Sequence, residues 1–308
     1  MRKIRDYFLL VLKGMGMGAS DVVPGVSGGT IAFITGIYEE LIHSLKSIGV
    51  DTIGLLLKFR LKEFWKRING NFLVAVFSGV LISIFSLARI LEFLLINHPS
   101  LIWSFFFGLV LSSAIMILLD INQWKWHTIL AVVIGTVTAY IVTSFTPAKS
   151  TEATWFVFLS GSLAICAMIL PGISGSFILL LLGKYKYILA AVNDLKFDIL
   201  GTFIAGAFIG LILFSNLLSW LLSKFRYFTI SLLAGFMLGS LNKIWPWKQT
   251  IETYVDSHGV EHPLIQRNIL PDLSTESEFV PSLLLALLGA GIIFFLVRMS
   301  KNKKEGIS

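Results

Sequence analysis

Charge is scarce in this chain. Asp, Glu, Lys and Arg make up 14% of its 308 residues, where a soluble domain carries about a quarter. A water-solvated fold of this size is excluded on that ground. Cysteine is almost missing: Cys166 stands alone, so neither an internal disulfide nor a cysteine-rich zinc site can form. Histidine is sparse as well. His43, His98, His127, His258 and His262 lack metal-ligand spacing except for the last two, which fall in a polar stretch, and no metal or other cofactor is expected. The basic start at Arg2, Lys3 and Arg5 precedes an apolar run without a small-residue cleavage site, so no cleavable signal peptide is expected.

What is present is apolar. Hydrophobic residues reach 56%, and the mean hydropathy is +0.83. The fold class that follows is an all-α polytopic membrane protein, whose partner is the bilayer itself. The formal charge of +7 is a topology signal, because the basic residues flank apolar spans. It does not describe a nucleic-acid surface.

One stretch is out of place in this setting. Gly18-Ala19-Ser20-Asp21-Val22-Val23-Pro24-Gly25-Val26-Ser27-Gly28-Gly29-Thr30 combines helix breakers with small hydroxyl residues. Such backbone cannot continue a helix. In a membrane it is tolerated only where protein buries it or water lines it. The stretch recurs as Leu170-Pro171-Gly172-Ile173-Ser174-Gly175-Ser176, at an offset of 147 from Pro24 to Pro171. At the same offset Gly36 falls on Gly183 and Tyr38 on Tyr185. At an offset of 127 Gly79 meets Gly206, Leu91 meets Leu218, Ser104 meets Ser231, Gly108 meets Gly235 and Ser113 meets Ser240. The 20-residue difference is an insertion in the first half, at the basic connector 46–70.

Each half therefore reads as a broken segment followed by three spans. The first repeat covers 1–146, with a hairpin at 6–45, the connector at 46–70, and spans near 72–96, 101–119 and 128–146. The second covers 147–308, with a hairpin at 155–192 and spans near 198–223, 227–244 and 280–298. A polar, acidic loop, 245–280, separates the last two spans; Glu252, Asp256, Glu261, Asp272, Glu276 and Glu278 outnumber Lys248 and Arg267. The positive-inside rule places both termini, the connector, and Lys224 with Arg226 in the cytoplasm, and loop 245–280 outside. Re-entrant hairpins with three spans each satisfy this and make the second half inverted. Lys184, Lys186 and Lys196 then fall outside, a mild exception. Two full spans per broken segment is the alternative, for which 157–169 is short.

The chemistry of the breaks points to an anion. Backbone N–H groups at a restarted helix, hydroxyls from Ser27, Thr30, Ser174 and Ser176, and close approach at Gly28, Gly29 and Gly175 suit a phosphate or carboxylate. Pro24, Gly25, Pro171 and Gly172 shape the breaks. Small residues in tight helix packing are the plainer reading of the same positions. Asp21 either caps the following backbone or takes a proton or cation; Met168 holds its place in the second repeat. Arg89 and Glu92 share a helix face, where Arg89 is either a phosphate clamp or half of an intrahelical pair, and Glu92 is a second coupling candidate. Glu39, Glu40, Lys184 and Lys186 are expected at an interface, and Trp124, Trp126, Trp245 and Trp247 as aromatic anchors.

The run Gly14 to Thr30, with Leu170 to Ser176, resembles the polyprenyl-phosphate transporter family of bacteria and archaea, over nearly the whole chain. The resemblance implies a plasma-membrane flippase that moves undecaprenyl phosphate, or a related polyprenyl phosphate, from the outer to the inner leaflet for carrier-lipid recycling. Ser176 in place of Gly29, and the missing counterpart of Asp21, depart from equal halves. From the residues alone, a secondary transporter of a small soluble anion is the alternative. A membrane lipid phosphatase ranks lower, since neither motif holds a nucleophile–base pair. The expectation is thus a transporter and not an enzyme, with no oligomeric state implied.

Overall fold

The computed structural model describes residues 2–23, 26–122, 124–145, 150–255, 261–271 and 276–305. Pro24, Gly25, Pro147, Asp256, His258 and Asp272 lie outside them, as do the side chains of Arg89, Glu92, Glu261, His262, Glu276 and Glu278.

The chain is mostly helical, as hydrocarbon demands of any backbone that must satisfy its own polar groups. In the first half α1 (Ile4–Val22) stops at the break, and α2 (Gly28–Ile34) and α3 (Tyr38–Lys46) follow. The connector folds as two short helices, α4 (Val50–Leu57) and α5 (Leu61–Arg67), and α6 (Gly70–Asn97), α7 (Pro99–Leu119) and α8 (Trp126–Ser144) complete the half. The second half runs α9 (Thr154–Ile169), α10 (Gly175–Leu181), α11 (Tyr185–Asn193), α12 (Phe197–Lys224), α13 (Arg226–Ser240) and α14 (Glu276–Glu305). Between α13 and α14 the polar loop forms an antiparallel hairpin, β1 (Lys248–Val255) and β2 (Glu261–Asn268), in register from Lys248 opposite Asn268 to Val255 opposite Glu261. Apart from that two-stranded hairpin the regular elements are helices, in keeping with an all-α polytopic membrane protein.

Among the described residues, five helices are long and apolar enough to cross a membrane, within α6, α7, α8, α12 and α14. A sixth arises if α10 and α11, bent by 110°, count as one span. The expected span 227–244 is shorter than its composition suggested. α13 has 15 residues and ends at Ser240, a rise of about 22 Å against a hydrocarbon core of roughly 30 Å.

Local rules account for the pieces. Pro99 opens α7 at the position where its missing N–H is unneeded. Gly36 and Gly183, at φ 72° and 63°, end α2 and α10 in the left-handed region. α3 buries Tyr38, Leu41, Ile42 and Leu45, a stripe at helical spacing, and turns Glu39 and Glu40 away from it.

Small residues set the helix pairs. An added Cβ on Gly14 would come 2.1 Å from the Val76 carbonyl oxygen, and one on Gly79 2.1 Å from that of Val11. So α1 and α6 touch backbone to backbone and run parallel. In the second half a Cβ on Gly161 would lie 2.2 Å from the Phe203 oxygen, and one on Gly206 1.9 Å from the Phe158 oxygen. These are the same four positions, shifted by 147 on the first helix and 127 on the second. The pairing of α8 with α13 likewise answers that of α7 with α14: an added Cβ on Gly135 would lie 2.3 Å from the Leu232 oxygen, and one on Gly289 2.3 Å from the Phe105 oxygen. Close backbone approach of this kind is how membrane helices associate without a hydrophobic drive between them.

Gly206→Ala should therefore force α9 and α12 apart and cost about 1–3 kcal/mol. Gly201→Ala, on the same helix with no atom within 4 Å of its new Cβ, should be neutral. Thermal unfolding of the purified protein in detergent measures both, and equal melting temperatures would contradict the packing.

Candidate functional site

The two breaks lie against each other. The Ser27 hydroxyl donates to the Met168 carbonyl oxygen at 2.9 Å and accepts from the Gly29 N–H at 3.0 Å. The Gly172 N–H donates to Thr30 Oγ1 at 2.9 Å, and the Tyr38 hydroxyl donates to the Ile169 carbonyl oxygen at 3.2 Å. Gly29 must be glycine for this approach, since a Cβ would stand 2.5 Å from the Ile169 oxygen. The backbone groups freed where α9 ends are thus taken up by side chains of the other half.

The first break is closed on itself. Ser27 and Thr30 are fully buried, and Gly28 and Gly29 are buried with them. The Asp21 carboxylate accepts the Gly28 N–H at 2.7 Å, so a protein anion already sits at the start of α2. Of the two roles expected for Asp21, capping is the one this geometry displays. The second break differs. Ser174 accepts the Phe177 N–H at 3.2 Å and lies 3.3 Å from the Ser176 hydroxyl. Met168 stands where Asp21 stands in the first half, and Gly175 and Ser176 are only half-buried. Gly172 has φ 93°, and a Cβ there would meet the Ser240 hydroxyl at 2.8 Å and the Phe236 carbonyl at 2.9 Å.

At one end of the molecule Glu40 accepts from Arg2 and, at 2.8 Å, from Asn69. Beside it Glu39 pairs with Arg226 at 2.9 Å. The N-terminus, the connector's end and the α12–α13 turn are thereby gathered together. Lys184, elsewhere, is buried. Its ammonium lies over the Phe156 and Tyr187 rings at 5.7 and 5.0 Å and reaches the Ser150 carbonyl at 3.4 Å. His43, without a role in the sequence reading, meets the Ser219 hydroxyl at 3.2 Å and ties α3 to α12. Arg89 and Glu92 lie on α6, apart from the motifs in sequence.

The undecaprenyl phosphate translocase-like family matches this chain over residues 17–262. The chain belongs to that family. It is 45% identical over 305 residues to a polyprenyl-phosphate transporter of Vibrio cholerae, covering 97% of this chain and 99% of that protein. It is 33% identical over 257 residues to a polyprenyl-phosphate transporter of Staphylococcus aureus, covering 77% and 85%. No solved structure matches it. Both breaks lie inside the stretch that matches the translocase-like family.

Thr30 gives a direct check on the pairing of the breaks. Thr30→Val leaves the buried Gly172 N–H without its acceptor, which should cost about 1–3 kcal/mol. Thr30→Ser keeps the oxygen and should cost much less. Unfolding midpoints that do not separate the two variants would contradict the contact.

Proposed function

We propose that this protein carries a polyprenyl phosphate, undecaprenyl phosphate or a close relative, from the outer to the inner leaflet of a prokaryotic plasma membrane, so that the carrier lipid is reused. The carrying observation is the likeness, over nearly the full length of both chains, to a protein named for polyprenyl-phosphate transport. The physics fits such a cargo. A phosphate cannot cross hydrocarbon unpaired, whereas a prenyl tail can stay in lipid. Only the headgroup needs shelter.

In this reading the two halves form an inverted repeat, each with a re-entrant hairpin and a bundle of longer helices, and the headgroup passes between the paired breaks. The equal glycine contacts at fixed offsets support the repeat. The gathering of Arg2, Asn69 and Arg226 around Glu39 and Glu40 supports a single cytoplasmic face for the N-terminus, the connector and the α12–α13 turn. The C-terminus belongs to that face and the β-hairpin to the opposite one. Ser27, Gly28, Gly29 and Thr30 hold the phosphate in one state and Ser174, Gly175 and Ser176 in another, with Arg89 as a further cation. Asp21 stands in for the phosphate while the first site is closed. A proton on Asp21 releases the Gly28 N–H, which makes Asp21 the first coupling candidate and Glu92 the second.

Two measurements test this. In vesicles holding the purified protein, parental protein should translocate a polyprenyl phosphate, and Ser174→Ala should slow it roughly tenfold through the loss of one hydroxyl donor to a charged oxygen. Arg89→Lys should impair transport if the guanidinium fork grips phosphate. No translocation by the parental protein overturns the proposal. In cells, with Cys166 replaced by serine, Glu63→Cys on exposed α5 should react with a thiol reagent only from the cytoplasm. Gln249→Cys on exposed β1 should react only from outside. Reaction of both from one side overturns the topology.

A further inference from the structure

The β-hairpin borders a cavity of about 290 Å³ against the ends of α8 and α13, and three cations stand in its lining: Lys243, Lys248 and Arg267. No Asp or Glu lines it among the described residues. Among the described residues the two ammonium groups are held without carboxylates. Lys248 Nζ sits 3.6 Å over the Trp103 ring and donates to the Lys243 carbonyl oxygen at 2.6 Å. Lys243 Nζ lies 4.6 Å over the Phe177 ring. Aromatic faces and a carbonyl position a cation but leave its charge uncompensated. Burial, and then the charge of Lys243, push the Lys248 ammonium well below the usual lysine pKa. An arriving anion would reverse both penalties.

The pocket is also polar, and its asparagines are hydrogen-bonded in place. Asn268 Nδ2 donates to the Asn242 carbonyl and side-chain oxygens at 2.9 and 3.0 Å, and Asn242 Nδ2 donates to Ser144 Oγ at 3.1 Å. The two asparagines are shared with a neighbouring cavity of about 380 Å³. That one is apolar, walled by Phe107, Val137, Tyr140, Leu238 and Trp245. Val137 and Tyr140, on the membrane-length helix α8, are exposed, so the groove reaches the protein surface there.

A basic pocket joined to an apolar groove matches an amphiphile with one anionic head and a single chain. We propose that this pair of cavities is a docking site for a prenyl monophosphate, with the phosphate among Lys243, Lys248 and Arg267 and the first isoprene units along Val137, Tyr140 and Trp245. This deepens the transporter reading and rests on it. Phe177 ties the pocket to the second break, because its ring carries Lys243 and its N–H is held by Ser174. The site is an antechamber from which the headgroup is handed to Ser174 and Ser176.

The test uses the full-length protein in nanodiscs, with the fluorescence of its tryptophans, among them Trp103 and Trp245 at the site, as the readout. Geranylgeranyl phosphate, geranylgeraniol and inorganic phosphate serve as probes. Geranylgeranyl phosphate should bind more tightly than either of the others. Lys243→Gln and Arg267→Gln should each weaken it roughly tenfold, the worth of one charge-assisted contact. Val137→Trp, on an exposed position, should block the groove and weaken the lipid phosphate while leaving inorganic phosphate unchanged. Unchanged binding in both charge variants overturns the site. Inorganic phosphate bound as tightly as the lipid overturns the lipid assignment. The same samples separate this from the function itself: transport by the parental protein alongside unchanged binding in the variants sinks the pocket alone, whereas no transport by the parental protein sinks the transporter reading.

Discussion

Within hydrocarbon a backbone N–H or C=O has no water to turn to, and each group left unpaired costs several kcal/mol. Everything central in this molecule follows from that constraint. A helix broken at Pro-Gly-x-Ser-Gly releases several such groups at once, and the chain contains two such breaks. They are satisfied by being brought together. Ser27 takes the Met168 carbonyl, Thr30 takes the Gly172 N–H, and Tyr38 takes the Ile169 carbonyl. The halves are joined at the point where each is least able to stand alone. Long parallel helix pairs, packed through glycines, hold that junction in place.

The junction is unequal, and the inequality has chemical content. One break is sealed by its own carboxylate at Asp21. The other has Met168 at that position and leaves Gly175 and Ser176 half-buried. On the half-buried side stands the basic pocket beneath the β-hairpin, linked to the break by Lys243 over the Phe177 ring. In the proposed exchange of one anion between the halves such an asymmetry is expected in any single state, because two equal and open cradles would compete for the same group. On that proposal the buried Asp21 contact would mark the closed side.

The sequence made the breaks, their spacing and the long apolar helices legible, because proline, glycine and hydropathy are local signals. Gly14, Gly79, Gly161 and Gly206 could be counted but not paired, since which carbonyl each one faces depends on packing. The shortness of α13 was hidden by apolar residues that continue past Ser240 into a turn. The basic pocket at loop 245–280 was not legible for a clear reason. The loop's summed charge is acidic, but Lys248 and Arg267 fold to one side and meet Lys243 from outside the loop. Net charge over a segment cannot reveal which charges a hairpin register brings together. The burial of Lys184 was hidden for a similar reason, since the rings of Phe156 and Tyr187 that cover it come from separate helices.

The central claim is that the two breaks bind each other in one state and must part for the headgroup to pass. The most direct measurement joins them. With Cys166 replaced by serine, cysteines at Ser27 and Met168, whose hydroxyl and carbonyl lie 2.9 Å apart, are bridged by a short bifunctional thiol reagent that a reductant can cleave. Lipid-phosphate translocation is then followed in vesicles before and after cleavage. The account predicts that bridging stops translocation and that cleavage restores it. Translocation at the unbridged rate through a fully bridged protein would contradict it.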